Sequence, residues 1–344
     1  MRIAIRADAS STLGLGHIKR CLSLAAALRQ QGADVLFVCQ ESDIALGSLL
    51  EKEGVAYALI PSSNAPHSSM EDWRLVSKIL KTFQPQCIVV DHYGLDATWH
   101  EMAAHATRAA IVAIDDMANR PLACDLLVDH NHAESHEEKY RGVLKASVLI
   151  LGGPRYALLA PSYAQSPRYT FSSEVRSIGI SMGGTDAPNW NSLALAVCRQ
   201  ECGFTGEIEI ATTSANPNLP ELEHIVRQDP HLTLSVDLPD LTSFYARHDL
   251  QIGAGGGSTW ERCCIGAPSV VVQVADNQRP VLEPLARHEI LVWSEGTRSA
   301  IASAIQSLLL GPQKRQLLSE NGKKWVDGKG CQRTSEAILQ LCKI

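Results

Sequence analysis

The residues best able to do chemistry in this chain fall just after short apolar runs. The first group extends from Asp8 to His17 and contains Gly14-Leu15-Gly16-His17, directly ahead of a helical pattern carrying Leu22, Ala25, Ala26 and Leu28. Glycines in such a turn let the backbone approach a phosphate, and a helix N-terminus adds N–H donors and positive potential. A histidine placed there has its charged form disfavoured, so His17 is read as a neutral imidazole able to accept a proton. The competing reading is that it only caps the helix. Two glycines without a third do not make a dinucleotide fingerprint, so no NAD is expected.

Further groups follow later runs: Asp91-His92-Tyr93, Asp115-Asp116, Asp129-His130-Asn131-His132, Met182-Gly183-Gly184-Thr185-Asp186 and Asp276-Asn277-Gln278. The run Gly255-Gly256-Gly257-Ser258-Thr259-Trp260-Glu261 is a second glycine turn entering a helix. It offers backbone donors, two hydroxyls and a carboxylate, which suits a diphosphate on the turn and a ribose on Glu261. Ser258 and Glu261 also have the spacing of a capping box, but capping needs no triple glycine. His130 and His132 alternate on an extended segment, yet no third and fourth ligand stands at a recognisable spacing, so no metal is expected. No nucleophile elbow is present, and no other cofactor is expected.

The elements that must position these residues alternate between β-branched runs and helical patterns, which predicts parallel strands with crossover helices. The expected strands are Ile3–Arg6, Val35–Cys39, Cys87–Val90, Ile111–Ile114, Leu126–Val128 and Val148–Leu151 in the first half. In the second they are Val175–Ser181, Glu207–Thr212, Leu232–Val236, Leu250–Ile252, Ser269–Val274 and Ile290–Trp293. The class is α/β, one open sheet per half. The polar, proline-bearing stretch 161–173 reads as the linker, giving domains 1–160 and 174–344; the last helix is left free to pack on either. Ligands of open α/β sheets sit beyond the carboxyl ends of the strands, so two sheets facing each other would line one cleft with these loops.

Length and composition agree. A chain of 344 residues fits two domains. Hydrophobic residues make up 45% and charged residues 20%, a globular profile. The formal charge of -6 argues against a nucleic-acid or anionic-membrane binder. Ten cysteines lack any C-x-x-C pair, and several sit in apolar runs as small core residues. With no signal-peptide pattern and no run approaching about 20 apolar residues, a reducing, cytoplasmic setting is expected. No exposed apolar stripe is evident, so a monomer is expected.

Taken together, the loops resemble the UDP-2,4-diacetamido-2,4,6-trideoxy-β-L-altropyranose hydrolases of pseudaminic acid biosynthesis. The resemblance covers nearly the whole chain. It rests on Arg6-Ala7-Asp8, Gly14-x-Gly16-His17-x-x-Arg20-Cys21, Asp91-His92-Tyr93-x-x-Asp96-x-x-Trp99, Ile114-Asp115-Asp116 and Cys124-Asp125. It continues through Gly152-x-x-x-x-Tyr156-x-Leu158-Leu159, Ser181-Met182-Gly183-Gly184-Thr185-Asp186, Gly256 to Arg262 and Ala275 to Gln278. That family is similar in fold to the lipid-II-forming N-acetylglucosaminyl transferase, which implies two facing Rossmann-like domains (GT-B-like) around a central cleft, with UDP held mainly by the second. The resemblance implies His17 as general base and Asp8, Gly14, Gly16, Tyr93, Asn277 and Gln278 around the substrate. It also implies Gly183, Gly184, Gly256, Gly257, Ser258, Thr259 and Glu261 around UDP. Asp8, near in sequence, is the expected orienter of His17. Leu15, His100 and His130 depart from the family's pattern and bear on the choice of sugar. The implied reaction is hydrolysis at the anomeric carbon, releasing UDP and free sugar; UDP leaves without a strong acid, so one base, a water and a phosphate cradle suffice. A glycosyltransferase using a UDP-sugar donor, a hydrolysing epimerase and a non-catalytic nucleotide-sugar sensor are the alternatives.

Overall fold

The structure, a computed structural model, describes residues 1–11, 13–62, 67–275 and 278–343. Its first sheet contains β1 (Arg2–Ala7), β2 (Asp34–Gln40), β3 (Ala56–Ile60), β4 (Cys87–Asp91), β5 (Ala110–Ile114), β6 (Leu126–Asp129) and β7 (Leu149–Gly152). The strands lie in the order β3-β2-β1-β4-β5-β6-β7, all parallel. Helices cover both faces, which is why the strands read as unbroken apolar runs rather than alternating ones. Ile3, Ile5 and Val89 enter one core, while Ala4, Ile88 and Val90 enter the core on the other face. The edge strand β3 escaped the sequence reading because Ala56 is exposed and Tyr57, Ala58 and Leu59 are only half-buried.

The second sheet contains β8 (Ser177–Ser181), β9 (Glu207–Thr212), β10 (Leu232–Val236), β11 (Leu250–Ala254), β12 (Ser269–Val272) and β13 (Val292–Ser294). Its order is β10-β9-β8-β11-β12-β13, again parallel throughout. Each sheet has a point where the strand order reverses, between β1 and β4 in the first and between β8 and β11 in the second. Crevices beyond the carboxyl ends of strands at such points are the usual ligand sites of this architecture.

The chain divides into two compact units: Met1–Pro161 with Gly328–Ile344, and Ser162–Asp327. The boundary falls at the start of the segment expected as a linker, which from Ser162 onward belongs to the second unit. Residues Pro161–Gln165 form a short helix, Tyr163 and Tyr169 are buried, and the Tyr169 amide donates to the Ile265 carbonyl at 2.9 Å. Its prolines and polar residues hid two anchoring tyrosines. The last helix, Gly330–Leu341, whose packing the sequence left open, belongs to the first unit. Cys331 Sγ bonds the Leu159 carbonyl at 3.3 Å, Arg333 donates to the Arg155 carbonyl at 2.9 Å, and Ile338 is buried in the first core. Among the described residues no helix is long and apolar enough to cross a membrane.

Candidate active site

The first cluster sits where β1 and β4 end side by side. After β1 the chain turns, the Gly14 amide donating to the Ser10 carbonyl at 2.8 Å, and enters the helix Gly16–Gln30. His17, its second residue, is buried. It does not cap the helix: the N-cap is Leu15, and no side chain bonds the free amides. His17 Nδ1 lies 2.6 Å from Asp91 Oδ1 at the end of β4. Arg20, one turn further along the helix, donates from Nε to Asp91 Oδ2 at 2.6 Å and from Nη2 to Oδ1. Burial opposes ionisation of Asp91, but Arg20 and then His17 outweigh it and hold its carboxyl well below the usual carboxylate range. An ionised Asp91 requires Nδ1 to carry the hydrogen, which leaves the Nε2 lone pair for a proton. Arg20 Nη2 is also 3.1 Å from Nδ1, but with hydrogens on both atoms that is a contact rather than a bond.

Asp91, then, orients His17. Asp8, expected in that role, is engaged elsewhere: its carboxylate accepts from both Arg6 Nη atoms, from the Gln40 amide at 2.7 Å and meets His92 Nε2 at 3.1 Å. Burial of Asp8 is outweighed by His92 and Arg6, which keep its carboxyl well below the ordinary range. With its oxygens so occupied, Asp8 builds the end of β1 rather than offering itself to a substrate. Tyr93 stands edge-on to His17, ring centroids 4.8 Å apart at 78°, and donates to Asp116 Oδ1 at 2.7 Å. Asn131 donates to the other Asp116 oxygen at 3.0 Å. Burial and the Asp116 charge push the Tyr93 hydroxyl well above its ordinary pKa, so it remains a donor.

His130 lies within the electrostatic reach of Arg20, Asp116 and Asp91. It is buried, with Nδ1 lacking a partner among the described residues. Burial, then Arg20, pushes its pKa down to about 4; burial and Arg120 do the same for His100. A histidine depressed in the folded state leaves only the unfolded chain to take up its proton between pH about 6.5 and about 4. Stability therefore falls as pH drops through that window. The His130→Gln variant should flatten this fall in denaturant midpoints measured from pH 7 to 4, while leaving the midpoint at pH 8 little changed; an unaltered slope would mean the ring is not held neutral.

The second cluster sits where β8 and β11 end, Ser181 standing opposite Gly253 in the ladder. Gly183 and Gly184 follow β8 and are exposed; the Gly184 carbonyl accepts from Thr213 Oγ1 at 2.8 Å. After β11, Gly256 adopts a φ of 109°, a conformation open chiefly to glycine, and becomes the N-cap of the helix Gly257–Ile265. No side chain caps this helix, so the Ser258–Glu261 capping box is not formed; the Thr259 amide donates to the Gly256 carbonyl at 3.0 Å, and the Gly257 and Ser258 amides are left for another acceptor. Glu261 accepts from the buried Tyr245 hydroxyl at 3.2 Å and also bonds Tyr163. Gln278 packs against Gly255 and accepts from the Val274 amide at 3.0 Å. Asn277 lies outside the described residues.

The sequence reading missed three participants. Asp91 and Arg20 were quoted only within motifs. Arg262, 1% exposed, reaches back under the glycine turn, donating to the Ala254 carbonyl at 2.9 Å, Ser258 Oγ at 3.2 Å and Thr259 Oγ1 at 3.3 Å. The signal for it was Gly253: a Cβ there would stand 2.5 Å from Arg262 Nη1.

Among known proteins, the UDP-2,4-diacetamido-2,4,6-trideoxy-β-L-altropyranose hydrolase of Campylobacter jejuni is 30% identical over 237 residues, 69% of this chain and 78% of that protein. Among solved structures, MurG of Acinetobacter baumannii superposes with a TM-score of 0.70 at 14% identity, covering 98% of this chain and 99% of that one. MnaA of S. aureus, solved with UDP, gives a TM-score of 0.67 at 15% identity, covering 99% and 97%. These likenesses establish the fold as a pair of Rossmann-like domains of the GT-B type. No family model matches the chain.

Proposed function

Because the chain belongs to the UDP-2,4-diacetamido-2,4,6-trideoxy-β-L-altropyranose hydrolase family, we propose that it hydrolyses that nucleotide sugar, water attacking the anomeric carbon and UDP departing. The observation that carries this reading is the 2.6 Å bond between His17 Nδ1 and the ionised Asp91. Such a pair fixes the tautomer that presents Nε2 as a base, and stabilises the imidazolium as it forms. In the step, Nε2 takes a proton from water while the water oxygen bonds to the anomeric carbon. The bond from that carbon to the β-phosphate oxygen breaks, and its electron pair leaves with UDP.

The first unit supplies the base, and Gly14 and Gly16 shape the turn that presents it. Tyr93, held as a donor by Asp116, is assigned to the sugar, as the family resemblance also assigns Asn277 and Gln278. The second unit supplies the nucleotide cradle. Amides of Gly256, Gly257 and Ser258 and the hydroxyls of Ser258 and Thr259 meet the developing phosphate charge, beside Gly183 and Gly184. A helix N-terminus with uncapped amides is suited to an anion. Glu261, steadied by Tyr163 and Tyr245, receives the ribose.

Two measurements test the reaction. In oxygen-18 water the label should enter the free sugar and not UDP; label in UDP would place the attack at phosphorus. Incubation with the UDP-sugar alone should release UDP at a sustained rate, whereas a glycosyltransferase would wait for an acceptor and a non-catalytic sensor would release none.

A further inference from the structure

Arg262 is a buried cation without a carboxylate: among the described residues it forms no ion pair. Its partners there are uncharged, namely the Ala254 carbonyl, the Ser258 and Thr259 hydroxyls and the Tyr245 hydroxyl, and its Nε has no partner among the described residues. Arg6 is matched by Asp8 and Asp72, and Arg20 by Asp91. Arg315, also buried without an ion pair among the described residues, is met by four backbone carbonyls, those of Ser172, Ser173, Leu308 and Leu309; Arg262 has one carbonyl and otherwise hydroxyls. Burying a charge without an opposite one is expensive, and the chain does so immediately beneath an uncapped helix N-terminus. A Cβ at Gly253 would stand 2.5 Å from Arg262 Nη1 and 2.9 Å from the Ser181 carbonyl oxygen, so the glycine makes room for the guanidinium as well as for the neighbouring strand.

Hydrogen-bond chemistry points the same way. Guanidinium has donors and no acceptor, so Ser258 Oγ and Thr259 Oγ1 must both accept from it. Their own O–H groups are then directed elsewhere as donors. Ser258 finds only the Ala254 carbonyl at 3.4 Å, and Thr259 finds no acceptor among the described residues. Two polarised hydroxyls and free amides thus share one turn with a counter-charge behind them.

We propose that Arg262 is the buried counter-charge of an anion site at the Ser258–Thr259 turn, where it makes both hydroxyls donors toward a diphosphate and sets the preference for UDP over uncharged uridine. It acts through Ser258 and Thr259 and is a positioning residue. The proposal rests on the reading of the second unit as a nucleotide cradle, and the experiment separates the two. The full chain is titrated calorimetrically with UDP and with uridine. A parent chain that binds neither ligand ends the cradle reading and this proposal with it. Given a parent that prefers UDP, the preference in R262Q should fall about 10–100-fold with uridine affinity intact, the range expected for charge-assisted bonds. R262K, which keeps the charge, should retain most of the preference. An undiminished preference in R262Q, or equal weakening of both ligands in both variants, overturns the role. If R262Q does not fold, R262K and the parent decide: inorganic pyrophosphate should raise the melting temperature of both, and a parent indifferent to it refutes the anion site.

Discussion

The His17→Leu variant is expected to bind UDP like the parent chain and to turn over about 10²–10⁴-fold more slowly, the usual contribution of a positioned general base. Leucine approximates the buried volume beside Tyr93, and Asp91 keeps its two bonds from Arg20, so the substitution leaves no unpaired carboxylate. Stability should therefore change little, and the loss should appear in kcat. The Asp91→Asn variant should lose rate as well, because an amide facing Nδ1 no longer fixes the tautomer; it should also melt earlier, since Arg20 loses its counter-ion. The double variant should be no slower than the worse single one, because residues acting as a unit are not additive. Turnover retained in His17→Leu with UDP affinity intact would remove the imidazole from the mechanism.

How much of this was legible beforehand depends on the range of each interaction. Eleven of the twelve expected strands overlap strands of the structure with only small differences at their ends, because a doubly covered parallel sheet writes itself as short apolar runs. The twelfth, Ile290–Trp293, is displaced toward Val292–Ser294. The edge strand β3 carries half-buried residues and no such run. Gly14, Gly16 and His17 were legible because turn and helix start are local. Their partner was not: Asp91 is 74 residues from His17 in sequence, and only the adjacency of β1 and β4 brings them together. Proximity along the chain suggested Asp8, but strand pairing and the Arg6 side chain take Asp8 away from the imidazole. For Arg262 the information was local, four residues after Ser258 on one helix. A cation entering a buried helix face next to a glycine strand end can be read from sequence only when the question asked is where its charge goes.

The largest effect on stability should come from Arg6→Met. Arg6 is 2% exposed in β1 and forks between Asp8 and Asp72. Asp72 also accepts from Trp99 Nε1 at 2.8 Å, and is placed by a helix whose start is fixed by the Ser68–Glu71 capping box. Removing the guanidinium leaves the buried Asp72 without a cation and Asp8 with only His92 and the Gln40 amide, and breaking a buried pair this way costs about 3–5 kcal/mol. The pH dependence separates that cause from a simple cavity. In the parent chain Asp8 is depressed, so its contribution is present above the ordinary carboxylate pKa of about 3.9 and is lost as pH falls toward its folded value. In the variant, burial without the guanidinium favours the protonated acid, so acid relieves the strain on it. The gap in denaturant stability between parent and variant should therefore narrow from pH 7 to pH 4. A cavity left by a shorter side chain would cost the same at both. A gap that stays constant or widens on acidification would mean that Arg6 serves the first sheet through its bulk and not its charge.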